Sequence, residues 1–384
     1  MTNTNVFYGA NTLPSEIRSR YVKNNNGLTV HILESGYESA DRPCVLLLHG
    51  FPELAYSWRK VMTVIAQAGF HVVAPDQRGY GRTTGWDGNY DGDISSFGFL
   101  NLMKDTLGLV FALGYRSVAA VVGHDFGSPV AAWCSMVRPD VFRSLVMMSG
   151  PFTGPPKLPF NTHSAGASSA EPVQPDIHAA LAGLPRPRKH YQRYYSTREA
   201  NEDMSHCPQG VHDFLRAYYH FKSADWKQNQ PFPLESWTAP ELSKLPKYYI
   251  MDRDSGMAET VAAEMPSPSE IADCKWLSED ELAVYSGEYT KVGFQGGLNW
   301  YRCQTDPRYS DDLKIFSGMT IDVPSCFISG SSDWGSFQRP GALERMKTTV
   351  CTDLVGIHMV EGAGHWVQQE CPDEVNQIIL QHLI

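Results

Sequence analysis

Short apolar runs alternate with segments of helical periodicity over the first 150 residues of the chain. The runs are apolar at nearly every position, which is typical of strands that are buried on both faces of a parallel sheet. The predicted strands are PCVLLLHG (43–50), HVVAPD (71–76), SVAAVVGHD (117–125) and FRSLVMMSG (142–150). The predicted helices are WRKVMTVIAQAG (58–69), SSFGFLNLMKDTLGLVFALG (95–114) and a helix from Ser128. This alternation predicts an α/β fold with helices on both sides of the sheet.

The alternation then stops, and the next strand of this kind, VPSCFISG (323–330), begins only much later. A parallel crossover needs about a dozen residues, whereas roughly 170 residues intervene here. The segment between is therefore predicted to be a domain of its own. After it, the pattern predicts a helix near 341–347, a strand LVGIHMVEG (354–362) and a terminal helix from Pro372.

These patterns divide the chain into a core in two parts, 1–152 and 320–384, and an inserted cap domain, 153–319. The cap is predicted to begin with a long Gly/Pro/Ser/Ala-rich linker loop, at 152–172. Its helical patterns are rich in aromatic residues: HYQRYYSTREA (190–200), VHDFLRAYYHF (211–221) and SEDELAVYSGEYTKVGF (278–294). No pattern can be placed on residues 154–175 and 224–270.

Composition narrows the possible functions. The 384 residues are 42% hydrophobic and 19% charged, as in soluble globular proteins, and the net charge is −10. An acidic chain without a basic run is a poor candidate for binding nucleic acid or anionic lipid. A polar N-terminus without an apolar stretch, and no run long enough to cross a membrane, favour a cytoplasmic protein without membrane insertion.

Cofactor and metal motifs do not occur. The eight cysteines are scattered without a C-x-x-C pair, which favours reduced thiols in a cytosolic protein. The sequence has no P-loop, no dinucleotide fingerprint and no His/Cys spacing typical of a metal site. We therefore expect a reaction that needs neither a cofactor nor a metal.

The stretch GHDFG (123–127) carries the first chemical signal. It lies between an apolar strand and a predicted helix, and glycines on both sides of its central residue allow the chain to turn sharply. Such an elbow lifts a nucleophile above the edge of the sheet. The nucleophile is usually Ser, but here the position is occupied by Asp125.

Three more segments follow predicted strands, where parallel sheets place their ligands. GSSDWG (330–335) supplies Asp333, GAGHW (362–366) supplies His365, and HGFPE (49–53) follows the strand at 43–48. Each is weak evidence alone, because turns favour Gly and Asp and most His residues are structural. Together, their order and context predict a catalytic triad, with backbone N–H groups of Phe51 and Phe126 as an oxyanion hole.

With these motifs, the chain resembles the epoxide hydrolase and haloalkane dehalogenase branch of the α/β-hydrolases. The resemblance rests on HGFPE, DQRGYGRT (76–83), GHDFG, GSSDWG and GAGHW, and it extends into the cap through SGEYTKVGFQGGLNWYR (286–302) and HYQ (190–192). It implies a mostly parallel eight-stranded sheet with the cap inserted after strand 6. It also implies that Tyr191 and Tyr301 activate an epoxide oxygen.

A carboxylate nucleophile limits the chemistry. With a pKa of about 4 it is already ionised, and its attack on an sp³ carbon gives a stable alkyl ester. Water activated by His365 could then hydrolyse that ester, while Asp333 orients the imidazole. The substrate is therefore expected to be an epoxide or a compound with a carbon–halogen bond.

The leaving group distinguishes the two. A halide needs N–H donors, yet Phe126 stands where the family commonly has Trp, whereas a tyrosine O–H suits an epoxide oxygen. An epoxide hydrolase that makes vicinal diols is the leading hypothesis. A dehalogenase, a biosynthetic epoxide-opening enzyme and a binding module without chemistry are the alternatives. Packing is the competing interpretation for both tyrosines, because Tyr191, Tyr194 and Tyr195 have helical spacing.

The surroundings of the predicted site are aromatic. Phe51, Phe126 and Trp366 adjoin the catalytic positions and predict an apolar or aromatic pocket for a small-molecule epoxide. Each could equally belong to the core. Glu53 could help to position the hydrolytic water. A homodimer and a monomer are both compatible with the sequence.

Overall fold

The computed structural model describes residues 8–9, 11–158 and 176–384. Most of the predicted linker, residues 159–172, lies outside the described residues. Ten strands are described: β1 Arg18–Asn25, β2 Leu28–Ser35, β3 Cys44–Leu48, β4 His71–Pro75, β5 Ala120–His124, β6 Leu145–Met148, β7 Arg188–His190, β8 Ile250–Asp252, β9 Ser325–Gly330 and β10 Leu354–Val360.

The α-helices fall into two groups. Those of the core are α1 Arg59–Gln67, α2 Phe99–Ala112 and α3 Gly127–Val137, followed after the insertion by α14 Ala342–Arg345, α15 Val367–Glu370 and α16 Pro372–Leu383. Those between β6 and β9 are α4 Ile177–Ala182, α5 Tyr191–Tyr195, α6 Glu199–Ser205, α7 Gly210–Lys222, α8 Ala239–Leu242, α9 Met257–Ala262, α10 Pro268–Asp273, α11 Glu279–Val292, α12 Gln295–Thr305 and α13 Pro307–Ser310. Among the described residues, no helix is long and apolar enough to cross a membrane.

Eight strands form one sheet in the order β1-β2-β4-β3-β5-β6-β9-β10. The two pairings at one edge, β1 with β2 and β2 with β4, are antiparallel, and the other five are parallel. Every residue of β3, β4, β5 and β6 is buried, as expected for strands covered on both faces. The predicted mostly parallel, eight-stranded sheet with a helical insertion after the sixth strand is confirmed.

Two helix predictions need correction. The predicted helix over 95–114 is interrupted because Gly98 has extended backbone angles, so a 3-10 turn over Ser95–Phe97 precedes α2. The single helical pattern at 190–200 forms two short helices, α5 and α6, separated by Ser196 and its neighbours. The unassigned stretch around 245–270 contains β8, which pairs with β7, and the helix α9.

Candidate active site

Asp125 lies at the sharp turn between β5 and α3. Its φ of +51° is in the left-handed region, which a non-glycine residue adopts only at some cost. The two glycines of the motif are needed for space. A Cβ on Gly123 would lie 2.2 Å from the carbonyl oxygen of Gly127, and a Cβ on Gly127 would lie 2.2 Å from that of Leu48. Backbone packing around the elbow therefore holds the carboxylate above the sheet edge.

The two oxygens of Asp125 face different partners. Oδ1 accepts a hydrogen bond of 2.9 Å from the backbone N–H of Phe51, and Oδ2 lies 3.3 Å from His365 Nε2. No hydrogen bond joins the N–H of Phe126 to Asp125 within the described residues. The Phe51 donor is therefore already in contact with the carboxylate, and the predicted second donor is not.

His365 connects Asp125 to Asp333. His365 Nδ1 lies 3.1 Å from Asp333 Oδ1, and both residues are buried. Asp333 also accepts hydrogen bonds from the N–H of Gly335 (2.7 Å) and the hydroxyl of Ser329 (3.3 Å). Burial raises the pKa of Asp333, but the charge and hydrogen bond of His365 and the N–H of Gly335 outweigh burial, so the pKa lies below its ordinary value. Asp333 is therefore ionised and fixed in orientation, so it can hold the imidazole in one tautomer.

The charge state of Asp125 is set by its neighbours. Burial raises the pKa of this carboxyl, but the hydrogen bond and charge of His365 and the charges of Lys222 and His124 outweigh it. The net result is a pKa well below its usual range. Asp125 is therefore available as a carboxylate without a base to deprotonate it.

Lys222, at the end of α7, is a buried cation that the motif analysis did not single out. Its Nζ lies 5.2–5.8 Å from the ring centroids of four aromatic residues, which are Tyr218, Tyr248, Tyr249 and Trp366. It has no ion pair with a carboxylate among the described residues. Burial lowers the pKa of Lys222 below its ordinary value, and the negative charges of Asp125, Asp333 and Glu53 partly offset this effect. Contact with these rings favours the charged form of Lys222, whose positive charge is opposite to those of Asp125, Asp333 and Glu53.

Glu53 is the buried partner of His124. Its Oε2 lies 2.5 Å from His124 Nδ1 and accepts the Gly50 N–H at 2.9 Å, and its Oε1 accepts a 2.9 Å bond from Gln368. Oε2 therefore accepts from two protein donors and Oε1 from one, and the expectation that Glu53 positions water stays a prediction. His124 Nε2 in turn lies 2.7 Å from the carbonyl oxygen of His365.

Glu370, in α15, holds the loop that carries His365. Its carboxylate accepts backbone N–H groups from Ala224 (2.8 Å), Gly364 (2.9 Å) and Trp366 (2.9 Å). The N–H of His365 itself donates to the carbonyl oxygen of Lys222 at 2.9 Å. Three successive N–H groups of the loop are thus satisfied, which fixes the backbone under the imidazole.

A cavity of about 430 Å³ opens beside Asp125 and His365. Tyr191, Tyr301 and Phe126 line it, so both predicted tyrosines and one predicted aromatic residue share the cavity with Asp125 and His365. Phe51 and Trp366 do not line it. They are 1% and 0% exposed, and the Trp366 indole donates to the carbonyl oxygen of Tyr219, so these two belong to the supporting core.

The two tyrosine hydroxyls differ in their partners. The Tyr191 hydroxyl donates to Gln338 Oε1 at 3.3 Å and accepts from Gln192 Nε2 at 3.2 Å. The Tyr301 hydroxyl has no hydrogen-bond partner among the described residues. Burial, followed by the negative charge of Asp125, raises the pKa of both tyrosines well above the ordinary value. Both are therefore protonated and able to donate.

The helix that carries Tyr301 rests directly on the core. A Cβ on Gly296 would lie 2.0 Å from the carbonyl oxygen of Gly79, so two backbones meet where α12 begins. One turn further on, the Trp300 indole donates to the carbonyl oxygen of Arg78 at 3.0 Å. These contacts give a physical reason for two of the motifs quoted above, DQRGYGRT and QGGLNWYR.

Sequence reasoning missed three residues of this arrangement: His124, Lys222 and Glu370. His124 was visible inside GHDFG, and Glu370 lies only five residues after His365. Lys222 gave no signal, because a lysine at the end of a helix is usually exposed. In the described part of the chain, no cluster of three or more His, Cys, Asp or Glu is arranged to hold a metal ion.

Comparison with known proteins shows the family of the chain. A family model described as alpha/beta hydrolase fold matches residues 43–170. Epoxide hydrolase A of Mycobacterium tuberculosis is 30% identical and aligns over 93% of this chain and 95% of its own. Epoxide hydrolase B of the same organism is 29% identical over 94% and 97%.

Solved structures agree. An epoxide hydrolase from an endophytic Streptomyces superposes with a TM-score of 0.74 at 30% identity, covering 96% of each chain. Potato (Solanum tuberosum) epoxide hydrolase I superposes with a TM-score of 0.69 at 28% identity, covering 95% of this chain and 98% of its own. The chain therefore belongs to the epoxide hydrolase family of the α/β hydrolases.

Proposed function

We propose that this epoxide hydrolase converts an epoxide and water to a vicinal diol through an ester on Asp125. The observation that carries the proposal is one cavity that brings together an ionised carboxylate, an imidazole and a free tyrosine hydroxyl. Each of these groups supplies what one of the two half-reactions needs. The inserted segment 153–319 acts as a cap that supplies the tyrosines.

In the first half-reaction, Oδ2 of Asp125 attacks one carbon of the ring and the carbon–oxygen bond on that carbon breaks. The ring oxygen takes a proton from Tyr301, with Tyr191 as a second donor, so a hydroxyl and a tyrosinate form. Oδ1 remains on the Phe51 N–H and becomes the carbonyl oxygen of the ester. General acid assistance of this kind contributes about 10²–10⁴-fold to a rate.

In the second half-reaction, His365 takes a proton from water, and the resulting hydroxide attacks the carbonyl carbon of the ester. Negative charge then collects on Oδ1, where the Phe51 N–H can stabilise it. Collapse of this intermediate releases the diol and restores the Asp125 carboxylate. The protonated imidazole, stabilised by Asp333, supplies the proton that restores the tyrosine.

A dehalogenase reaction would use the same nucleophile but a different leaving-group site. Halide ions are bound by N–H donors, and the residue after the nucleophile is Phe126, which has no side-chain donor. The hydroxyl of Tyr301 suits an alkoxide. Curated relatives over nearly the full length are named epoxide hydrolases.

The cavity and the cysteines support finer proposals. Ligand pockets of this volume are usually lined by apolar groups, and the wall beside Phe126 is aromatic, which favours an apolar or aromatic epoxide body. All eight cysteines are free thiols. Because free thiols persist in reducing compartments, we place the protein in the cytoplasm.

A single turnover in heavy-oxygen water tests the mechanism. With enzyme in excess over styrene oxide, the label is expected in the Asp125 carboxylate and not in the first diol formed, because water attacks the ester carbonyl. Asp125→Asn is expected to form no diol, with unchanged thermal unfolding. His365→Gln is expected to accumulate an ester, visible as an increase in intact mass equal to that of the epoxide.

Two results would contradict this mechanism. Label found directly in the first diol would mean that water opens the ring without a covalent step. Loss of activity in His365→Gln without an ester would mean that the imidazole is needed before or during alkylation.

A further inference from the structure

The residues that line the cavity include few charged side chains. Among the described residues that line it, Asp125 is the one carboxylate and Arg339 the one guanidinium. Arg339 follows Gln338, whose side chain contacts the Tyr191 hydroxyl at 3.3 Å. A permanent positive charge therefore lies on the wall of the same cavity that holds Asp125 and the two tyrosines.

Arg339 has no acidic partner in the part of the chain that the structure describes. Its guanidinium carbon lies 5.8 Å from the ring centroid of Trp237, which also lines the cavity. Partial desolvation and the like charge of Arg345 lower the pKa of Arg339, and no described carboxylate contributes. Most arginines on this acidic protein have carboxylates within reach, so an unpaired one at a cavity is a candidate for ligand binding.

A second donor lies beside it. His190 is buried, lines the cavity and accepts the N–H of Gln192 on Nδ1 at 3.3 Å. Burial, with the positive charges of His178 and Arg339, lowers the pKa of His190 to about 3. The imidazole is therefore neutral, and its proton is on Nε2. The His190 ring lies 5.9 Å and the Arg339 guanidinium carbon 5.8 Å from the ring centroid of Trp237, so an anion bound beside Trp237 could meet a guanidinium and an imidazole N–H.

Another part of the cavity wall is apolar. Its aromatic members are Phe99, Phe126, Trp133 and Phe152, whose rings contact one another at 5.3–6.3 Å between centroids. A ligand that satisfies both regions has an apolar body and an anionic end.

Resting on the proposed function, we propose that Arg339 binds a carboxylate on the substrate, so the preferred epoxides carry a carboxylate remote from the ring. His190 assists as a neutral N–H donor. The proposed reaction does not require a carboxylate on the substrate. The contact with Arg339 would therefore affect which epoxide the enzyme prefers and not the chemical steps. The contact between Arg339 and the carboxylate forms on binding and is unchanged during ring opening. Because it stabilises the bound substrate and the transition state equally, its loss should raise KM and leave kcat nearly unchanged.

The test uses a pair of epoxides with the same carbon chain, one ending in a carboxylate and the other in the corresponding methyl ester. Wild-type enzyme should show a higher kcat/KM for the acid. Arg339→Gln should lower kcat/KM for the acid about 10–100-fold, as expected for a hydrogen bond to a charged group. The value for the ester should change less than about twofold. The wild-type preference should shrink as salt rises, because the guanidinium is solvent-accessible.

Arg193→Gln is the matched control. Arg193 is an exposed guanidinium on α5 that does not line the cavity, so its removal changes net charge equally and should leave the preference intact. An equal loss for acid and ester in Arg339→Gln, or a wild-type enzyme that does not prefer the acid, would overturn the proposal.

A binding measurement separates this proposal from the catalytic one. If neither epoxide yields diol, the catalytic proposal fails, and calorimetry with the diol acid and the diol ester then tests Arg339 directly. Tighter binding of the acid that is lost in Arg339→Gln supports the carboxylate site. Equal binding of the two diols rejects it.

Discussion

The different partners of the two cavity tyrosines lead to an unequal prediction for their removal. In Tyr301→Phe, the enzyme loses a hydroxyl that has no described protein partner and is ready to donate to the epoxide. In Tyr191→Phe, it loses a hydroxyl whose proton is directed to Gln338 Oε1 at 3.3 Å. Tyr191 must give up that bond before it can serve the ring oxygen.

The size of the difference follows from that bond. A net hydrogen bond contributes about 0.5–1.5 kcal/mol, or roughly a 2–12-fold factor in rate. Loss of a general acid slows a reaction by about 10²–10⁴-fold, and we expect Tyr301→Phe to slow alkylation by that amount. The slowing in Tyr191→Phe should be smaller than that in Tyr301→Phe by the roughly 2–12-fold factor of the hydrogen bond. Gln338→Met, which removes the competing acceptor at similar volume, should speed alkylation in Tyr301→Phe by roughly the same 2–12-fold.

The assay is stopped-flow fluorescence under single-turnover conditions, which separates alkylation from hydrolysis of the ester. Tyr195→Phe is the control, because its ring lies 5.0 Å from that of Tyr301 while its hydroxyl is bonded to Tyr218. It should leave alkylation within about twofold. A larger loss in Tyr191→Phe than in Tyr301→Phe, or slowing confined to ester hydrolysis, would contradict the proposed roles of the two hydroxyls.

Two further predictions concern stability and the loop that carries His365. Glu34→Gln should lower the free energy of unfolding in urea by about 1–2 kcal/mol at pH 7, less than the full pKa shift implies, because Arg18 and Arg20 are partly exposed. Burial raises the pKa of Glu34, but His71, Arg20 and Arg18 outweigh it and lower the pKa from 4.5 to about 2. The stability that the ionised carboxylate contributes is therefore present above pH 4.5 and lost as the pH falls towards 2. A stability difference between Glu34→Gln and wild type that is the same at pH 2.5 as at pH 7 would contradict this prediction. Glu370→Gln should leave at least one N–H group that Glu370 now holds without an acceptor, which lowers the free energy of unfolding by about 1–3 kcal/mol. In single turnovers it should slow ester hydrolysis more than alkylation. Equal slowing of both steps would argue against a role of Glu370 in positioning His365.

The sequence predicted the elements whose signal is local. The strands buried on both faces are apolar throughout, so β3, β4, β5, β6 and β9 could be read directly. The pair β1 and β2 was not assigned, although Asn26-Gly27 at its turn, with φ of +51° and +80°, is a strong hairpin signal. Strand β8, with three residues, is too short for any periodicity to appear.

The same limit applies to the site. Asp125, Asp333 and His365 follow strands, so their convergence could be predicted from topology alone. The hydrogen bond between Tyr191 and Gln338 joins residues 147 positions apart, and no pattern in the chain encodes it. The aromatic surroundings of Lys222 likewise combine residues from α7, the segment before β8 and the His365 loop.

The bonds around Gly364 have a consequence for the position of the His365 imidazole. The His365 N–H joins the insertion there by donating to the Lys222 carbonyl oxygen, and the Ala224 N–H donates to Glu370, which also holds the His365 loop. A Cβ on Gly364 would lie 2.5 Å from the Ala224 nitrogen. The end of α7 therefore cannot move away from the sheet without breaking these contacts or carrying the His365 loop with it. A displacement of the end of α7 would therefore also displace the loop that carries His365, so the position of the imidazole depends on the packing of the insertion as well as on the core.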